Sequence, residues 1–163
     1  MQNDLKLKFN ASDVYLKKTN GLENVRVGVG VALLNEQCQL LLELRSDVSM
    51  WGITGGKLDA GETPEKCGIR EIYEETGICL KEGELSYVGI YAKPEDGRIL
   101  QYPDNRVHLL DIVYTAKISS ETKLRLSRES LEMKFFSVAT MPDNIVPPAI
   151  RPINDLMKKG CIK

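Results

Sequence analysis

The chain has 163 residues, with 42% hydrophobic and 28% charged content, the balance of an ordinary soluble globule able to bury a core. Lys and Arg number 22 against 23 Asp and Glu, so the net charge of −1 gives no overall field toward nucleic acid or a membrane. Four scattered cysteines without a Cys-x-x-Cys pair and a lone histidine argue against zinc, and with no signal peptide or long apolar run a reducing, cytoplasmic setting is the default.

Length argues for one domain over residues 1–163, with 1–24 as an N-terminal extension that packs on the domain or joins a dimer interface. Leu5, Leu7 and Phe9 alternate as an edge strand, and Asn10-Ala11-Ser12-Asp13 offers turn or cap chemistry. Over 25–34, Val25, Val27, Val29 and Val31 share one face of a strand. Gly28 and Gly30 fall on the other face and leave room for a neighbour or a ligand. Residues 35–37 turn, 38–45 return as a strand, and 46–50 lead to Trp51, a candidate core residue. Thr63 and Pro64 start a helix and Gly77 stops it. Ile69, Ile72, Tyr73 and Thr76 recur at helical spacing toward the core.

Residues 85–92 read as the next strand, and 93–105 as a long polar connection of the kind that carries function. Residues 106–118 alternate as a long strand containing His108, a structural histidine or a substrate contact. A polar loop over 119–128 precedes a short strand over 133–138. Ile150, Ile153, Leu156 and Met157 then mark a helix over 148–159 that packs on the sheet.

The chemistry concentrates in 55–78. Glu71, Glu74 and Glu75 stand at i, i+3 and i+4, so they cluster on one helix face. Each such like-charge pair destabilises an isolated helix by about 0.2–0.5 kcal/mol. Arg70 offsets part of this, and divalent cations offset it better, because carboxylate oxygens suit Mg²⁺ and Mn²⁺. A solvated acidic face is the alternative. Gly55, Gly56 and Gly61 just before the helix weigh against it, because they let backbone approach a ligand closely. Gly68 inside the helix costs about 1 kcal/mol against Ala, which implies a tight neighbour.

From Gly56 the order is Gly, five residues, Glu62, seven residues, then Arg70-Glu71-Ile72-Tyr73-Glu74-Glu75-Thr76-Gly77-Ile78. This resembles the Nudix box, Gly-x5-Glu-x7-Arg-Glu-U-x-Glu-Glu-x-Gly-U with U aliphatic, at every fixed position. The resemblance implies an α/β/α sandwich with a mixed β-sheet between helices. It implies hydrolysis of a nucleoside diphosphate linked to another moiety: ADP-ribose, a nucleotide sugar or a (d)NTP-like molecule. The alternatives are a MutT-type enzyme sanitising oxidised nucleotides and a non-catalytic nucleotide-sensing module. Mg²⁺ or Mn²⁺ is the implied cofactor, a homodimer is compatible, and neither nucleic acid nor membrane is an expected partner.

By the same resemblance Glu71, Glu74 and Glu75, with the Gly55 carbonyl, are metal ligands. Arg70 and Glu62 form a supporting ion pair. A further carboxylate from a distant loop falls on Glu129, or on Glu132 as second choice. The general base stays open between the box helix, at Glu74 or Glu75, and this loop. Tyr91, Tyr102, His108 and Arg106 are the candidate substrate-binding wall. Two departures stand out. Thr54 replaces a Pro common before the two glycines, which should loosen the loop slightly. After Val146-Pro147-Pro148-Ala149 the MutT branch carries a base-reading Asn, where this chain has Ile150.

Overall fold

The computed structural model describes residues 4–7 and 13–163. In chain order these form β1 (Tyr15–Leu16), β2 (Asn24–Leu34), β3 (Leu40–Arg45), β4 (Trp51–Gly52), β5 (Thr54–Lys57), α1 (Pro64–Thr76) and β6 (Ser86–Tyr91). A 3-10 turn (Pro94–Asp96), β7 (Ile99–Gln101), β8 (Arg106–Lys117), β9 (Ser130–Phe136) and α2 (Pro147–Lys158) follow.

The centre is a parallel ladder between β2 and β8, running from Asn24 opposite Val107 to Leu34 opposite Lys117. On its other edge β2 meets β5 antiparallel, Gly28 opposite Lys57 through Val31 opposite Thr54, and turns into β3 at Leu34 and Leu40. β6 and β7 line the outer edge of β8, β1 joins β7, and β4 and β9 flank β3. The sheet is therefore mixed.

Strand alternation divides the core in two. Val31, Leu33 and Leu41 pack on Ile72 of α1. Ala32, Leu34, Leu40 and Leu42 pack on Ile150, Ile153, Leu156 and Met157 of α2. The sheet thus lies between helices, as the box resemblance implies. Trp51 belongs to the α2-side core, edge-on to Phe136 at 4.8 Å between ring centres. Among the described residues no helix is long and apolar enough to cross a membrane.

The caps of α1 follow the sequence. Thr63 Oγ1 accepts from the Lys66 N–H at 3.3 Å, and Gly77 takes φ 76°. A Cβ on Gly68 would meet Val31 and Leu85 side chains at 3.0 and 3.1 Å, the tight neighbour its placement implied.

Other expectations are corrected. Of the four residues at core spacing only Ile72 and Thr76 are buried; Tyr73 is 48% exposed, with the Arg125 guanidinium over its ring. Leu5 and Leu7 are not in a strand. The Leu5 backbone instead exchanges two hydrogen bonds with the Asn154 side chain, at 2.7 and 3.0 Å. Phe9 and residues 10–12 lie outside the described residues. The 93–105 segment is not a simple polar loop: it buries Arg98, Ile99 and Leu100 around β7. The last strand begins at Ser130 rather than Met133.

Arg98 can be buried because its charge is met. Its guanidinium pairs with Asp111 of β8 and donates to the Pro148 carbonyl. That carbonyl needs a donor. Pro152 stands four residues on in α2 and has no N–H to supply the helical bond.

Candidate functional site

A cleft of about 720 Å³ opens on the face of β2 that carries Gly28 and Gly30. Both glycines line this cleft, with Asp111 and Leu109 beside Gly28 and Val113 and Ile53 beside Gly30. One end is acidic, with Glu71, Glu74, Glu75 and Glu129 around Gly55 and Gly56. The other is walled by Arg26, Tyr102, Leu109, Asp111 and Pro148. A smaller hollow of about 390 Å³ beside Lys57 and Asn105 touches none of the four glutamates, so the larger cleft is the candidate site.

The acidic end is built by close approach of β5 to α1. The Gly55 N–H donates to Glu75 Oε2 at 2.9 Å. A Cβ on Gly56 would lie 2.3 Å from the Glu71 carboxyl carbon, so a side chain there would push that carboxylate from its place. Thr54 is fully buried and its hydroxyl donates to the Val31 carbonyl at 2.9 Å. The loop is pinned by this residue and not loosened, a correction to the expectation from the missing Pro.

Arg70 grips Glu62 through both its Nε and Nη2, at 2.6 and 2.9 Å. Its Nη1 reaches Glu71 at 2.7 Å and Glu74 at 3.2 Å. The Arg70 hydrogen bonds hold the Glu62 carboxyl down at about 2. Burial pushes Glu75 up to about 9, helped by the nearby charge of Glu43. Burial also raises Glu71, against the pull of Arg70.

Glu43 escaped the sequence reading. It is 1% exposed on β3 and accepts from Ser130 Oγ at 2.7 Å, and burial pushes its carboxyl up. Its signal was a single acid inside the run Leu40-Leu41-Leu42-Glu43-Leu44.

The donor set suits a hard divalent cation. It is all oxygen, it carries excess negative charge, and it opens onto the cleft on one side. Among the described residues no three acidic, His or Cys side chains already converge into a closed cage. Mg²⁺ does not need one, because it is commonly held by one or two carboxylates with waters and substrate phosphates completing the shell.

The structure brings Gly55, Glu71, Glu74, Glu75, Glu129 and Tyr102 to this cleft. Glu129 is set by the Ser46 N–H donating to its carbonyl at 2.8 Å and by its own N–H donating to Ser127 Oγ at 3.2 Å. Tyr102 accepts from Arg26 Nη1 at 3.2 Å, with the guanidinium over its ring. Glu62 and Arg70 stand behind the box carboxylates.

Three candidates do not line the cleft. Tyr91 donates to Asp155 at 3.0 Å beneath Arg98, and His108 Nε2 is bonded to the Ala92 carbonyl at 2.6 Å. Arg106 donates to the Lys18 carbonyl at 2.9 Å and pairs with Glu23 at 3.2 Å. Each is occupied in holding neighbouring chain segments together. Glu132 is exposed opposite Leu44, also away from the cleft. Ile150 is 4% exposed in the α2-side core and does not line the cleft.

The NUDIX domain family matches residues 24–156 of this chain. A Bacillus subtilis (strain 168) protein named as a candidate 8-oxo-dGTP diphosphatase is 33% identical over 128 residues, 78% of this chain and 77% of that protein. The ADP-ribose pyrophosphatase of Methanocaldococcus jannaschii is 30% identical over 92 residues, 56% of this chain, and the match spans about half (48%) of that relative's length. Among solved structures, a MutT NUDIX hydrolase from Burkholderia pseudomallei superposes with a TM-score of 0.67 at 24% identity, covering 82% of this chain and 99% of the other. The NUDIX domain of Shewanella oneidensis NrtR, complexed with ADP ribose, gives 0.62 at 18% identity over 94% of this chain and 93% of the other. At these identities the two structures speak to fold.

Proposed function

This chain belongs to the Nudix family of pyrophosphohydrolases, and on that premise we propose that it is a metal-dependent enzyme cleaving the pyrophosphate bond of a nucleoside diphosphate linked to another moiety. The observation that carries this reading is the cleft whose end is formed by Glu71, Glu74, Glu75 and Glu129 around the Gly55–Gly56 backbone. Alone, that end repels a pyrophosphate. Mg²⁺ or Mn²⁺ held by these carboxylates and the Gly55 carbonyl would polarise phosphoryl oxygens and acidify a water for attack on phosphorus.

The chain's own residues supply the rest. Glu62 fixes Arg70, and Arg70 holds Glu71 and Glu74 toward the cleft. The Gly55 N–H aims one oxygen of Glu75, leaving the other for a ligand. A cleft carboxylate, on α1 or at Glu129, takes the proton of the attacking water. The P–O anhydride bond breaks, leaving a nucleoside monophosphate and a phosphorylated second moiety. Tyr102 and Arg26 wall the part of the cleft that receives one of these groups.

The test is turnover of ADP-ribose, nucleotide sugars and 8-oxo-dGTP with and without Mg²⁺. Phosphorylated products should appear only with metal, and Glu75→Gln should lower the rate at least about 100-fold. An undiminished rate in that variant, or tight binding without any turnover, would sink the proposal. The oxidised nucleotide belongs in the panel because of the Bacillus subtilis relative. Burial of Ile150, where the MutT branch carries its base-reading Asn, weighs against it.

A further inference from the structure

Asp111 lies on β8 directly opposite Gly28 of β2, within the cleft. Its two oxygens are treated differently. Oδ2 is paired with the fully buried Arg98, whose second contact is the Pro148 carbonyl. Oδ1 faces Gly28, and a Cβ there would lie 2.3 Å from it. The backbone at Gly28 is not in the left-handed region, so the glycine is there for space and not for conformation. Among the described residues nothing donates to Oδ1. The Asp111 side chain is 20% exposed, and what it is exposed to is the cleft.

Burial pushes the Asp111 carboxyl up, and Arg98 opposes this. A protonated Asp111 would leave the Arg98 guanidinium as a buried cation with no counter-ion, so the pair holds the carboxylate ionised. The result is an acceptor oxygen fixed from behind, standing over Gly28 at the wall of the cleft.

Its position relative to the acidic end is also set. Lys57, Gly28 and Asp111 stand in register across β5, β2 and β8. At roughly 4.8 Å per strand, the Asp111 backbone lies about 10 Å from that of Lys57. The Gly56 carbonyl lies between them, 3.4 Å from the point a Gly28 Cβ would occupy. A group that extends about that far along the cleft from a pyrophosphate at the acidic end comes within reach of Asp111.

We infer that Asp111 is a specificity-determining residue of this cleft: its Oδ1 accepts a hydrogen bond from a hydroxyl or N–H of the nucleoside or other moiety joined to the pyrophosphate, and disfavours substrates presenting an anion or a bare acceptor there. This rests on the pyrophosphohydrolase reading above. A sugar hydroxyl and a base N–H share this chemistry, and the arms of the test separate them.

Two variants alter the acceptor by different routes. Asp111→Asn keeps the shape. Arg98 offers only donors, so the new carboxamide turns its oxygen to Arg98 and its NH₂ into the cleft, replacing an acceptor by a donor. Gly28→Ala would place a methyl group 2.3 Å from Oδ1 and so must push the carboxylate aside; thermal unfolding shows which of the two variants folds and can be read. For each protein, kcat/KM is measured with Mg²⁺ on a substrate that turns over, on its 2′-deoxy and 3′-deoxy forms, and on the form lacking a base amino group. The wild type should prefer the donor-bearing member of one pair by about 10- to 100-fold. That ratio should fall close to one in either variant. A sugar pair responding identifies a hydroxyl, and a base pair an N–H. A wild type indifferent to every pair, or variants that keep its ratio, overturns the inference. If the wild type turns over nothing, the pyrophosphohydrolase reading fails. The same ratios are then read from dissociation constants of the nucleotides by calorimetry, and equal binding of donor-bearing and donor-lacking forms overturns the role of Asp111 separately.

Discussion

Glu75 shows how a single residue couples fold, protons and metal. Burial pushes its carboxyl up to about 9, against an ordinary 4.5. Between those values the folded chain holds a proton that the unfolded chain has released. Its contribution to stability is therefore full below about 4.5 and is lost as pH rises through about 9. A divalent ion held by Glu75, as proposed above, would take the place of that proton. The gain in Tm on adding Mg²⁺ over EDTA should grow from the acidic to the alkaline end of this window, and a proton should be released on binding. Thermal scans across pH and calorimetry in buffers of different ionisation enthalpy read both; a gain independent of pH would refute the coupling. The shared face of Glu71, Glu74 and Glu75 was legible from helical spacing alone. The tie from the Gly55 N–H was not, because residue spacing says nothing of where a backbone N–H points, and the pressure from Glu43 was not, because it comes from β3, outside the box. Tyr73 shows the limit of periodicity: it has core spacing, yet it lies at the margin of the stripe and packs under Arg125.

At the scale of elements, β7, β8 and α2 are joined through Arg98. Arg98→Ala would strand Asp111 and the Pro148 carbonyl together, a loss of about 3–5 kcal/mol by analogy with other broken buried pairs. Pro152→Ala would return an N–H to that carbonyl. The two changes should therefore couple, with Arg98→Ala costing less in the Pro152→Ala background. Urea unfolding of the four proteins measures this, and additivity within about 0.5 kcal/mol would reject it. The long strands β2 and β8 were readable because each has enough residues for alternation to show. The three residues of β7, set among Pro94, Gly97 and Pro103, were not. The burial of Arg98 is visible only once Asp111 and Pro148 are brought beside it.

The whole molecule explains why the layered architecture could be expected and the cleft could not. Two amphipathic helices and alternating strands dictate a sheet with one helix against each face. The cleft instead draws Gly28 from β2, Gly56 from β5, Glu71 from α1, Asp111 from β8, Glu129 before β9 and Pro148 from α2. No local pattern records such a meeting. The β2–β8 ladder also sets an order in time. Asn24 waits for Val107, and parallel pairing over so long a separation is slow to form. A chain cut after Asn105 would carry every carboxylate of the box, yet β2 would have an open edge and the cleft no far wall. Its β2 amides should exchange freely with solvent and Mg²⁺ should support no turnover, whereas protected amides would show that β2 and β5 assemble alone. As the protein is synthesised, the acidic helix is thus complete well before there is a cleft for it to serve, and the ability to hydrolyse arrives only as the sheet closes.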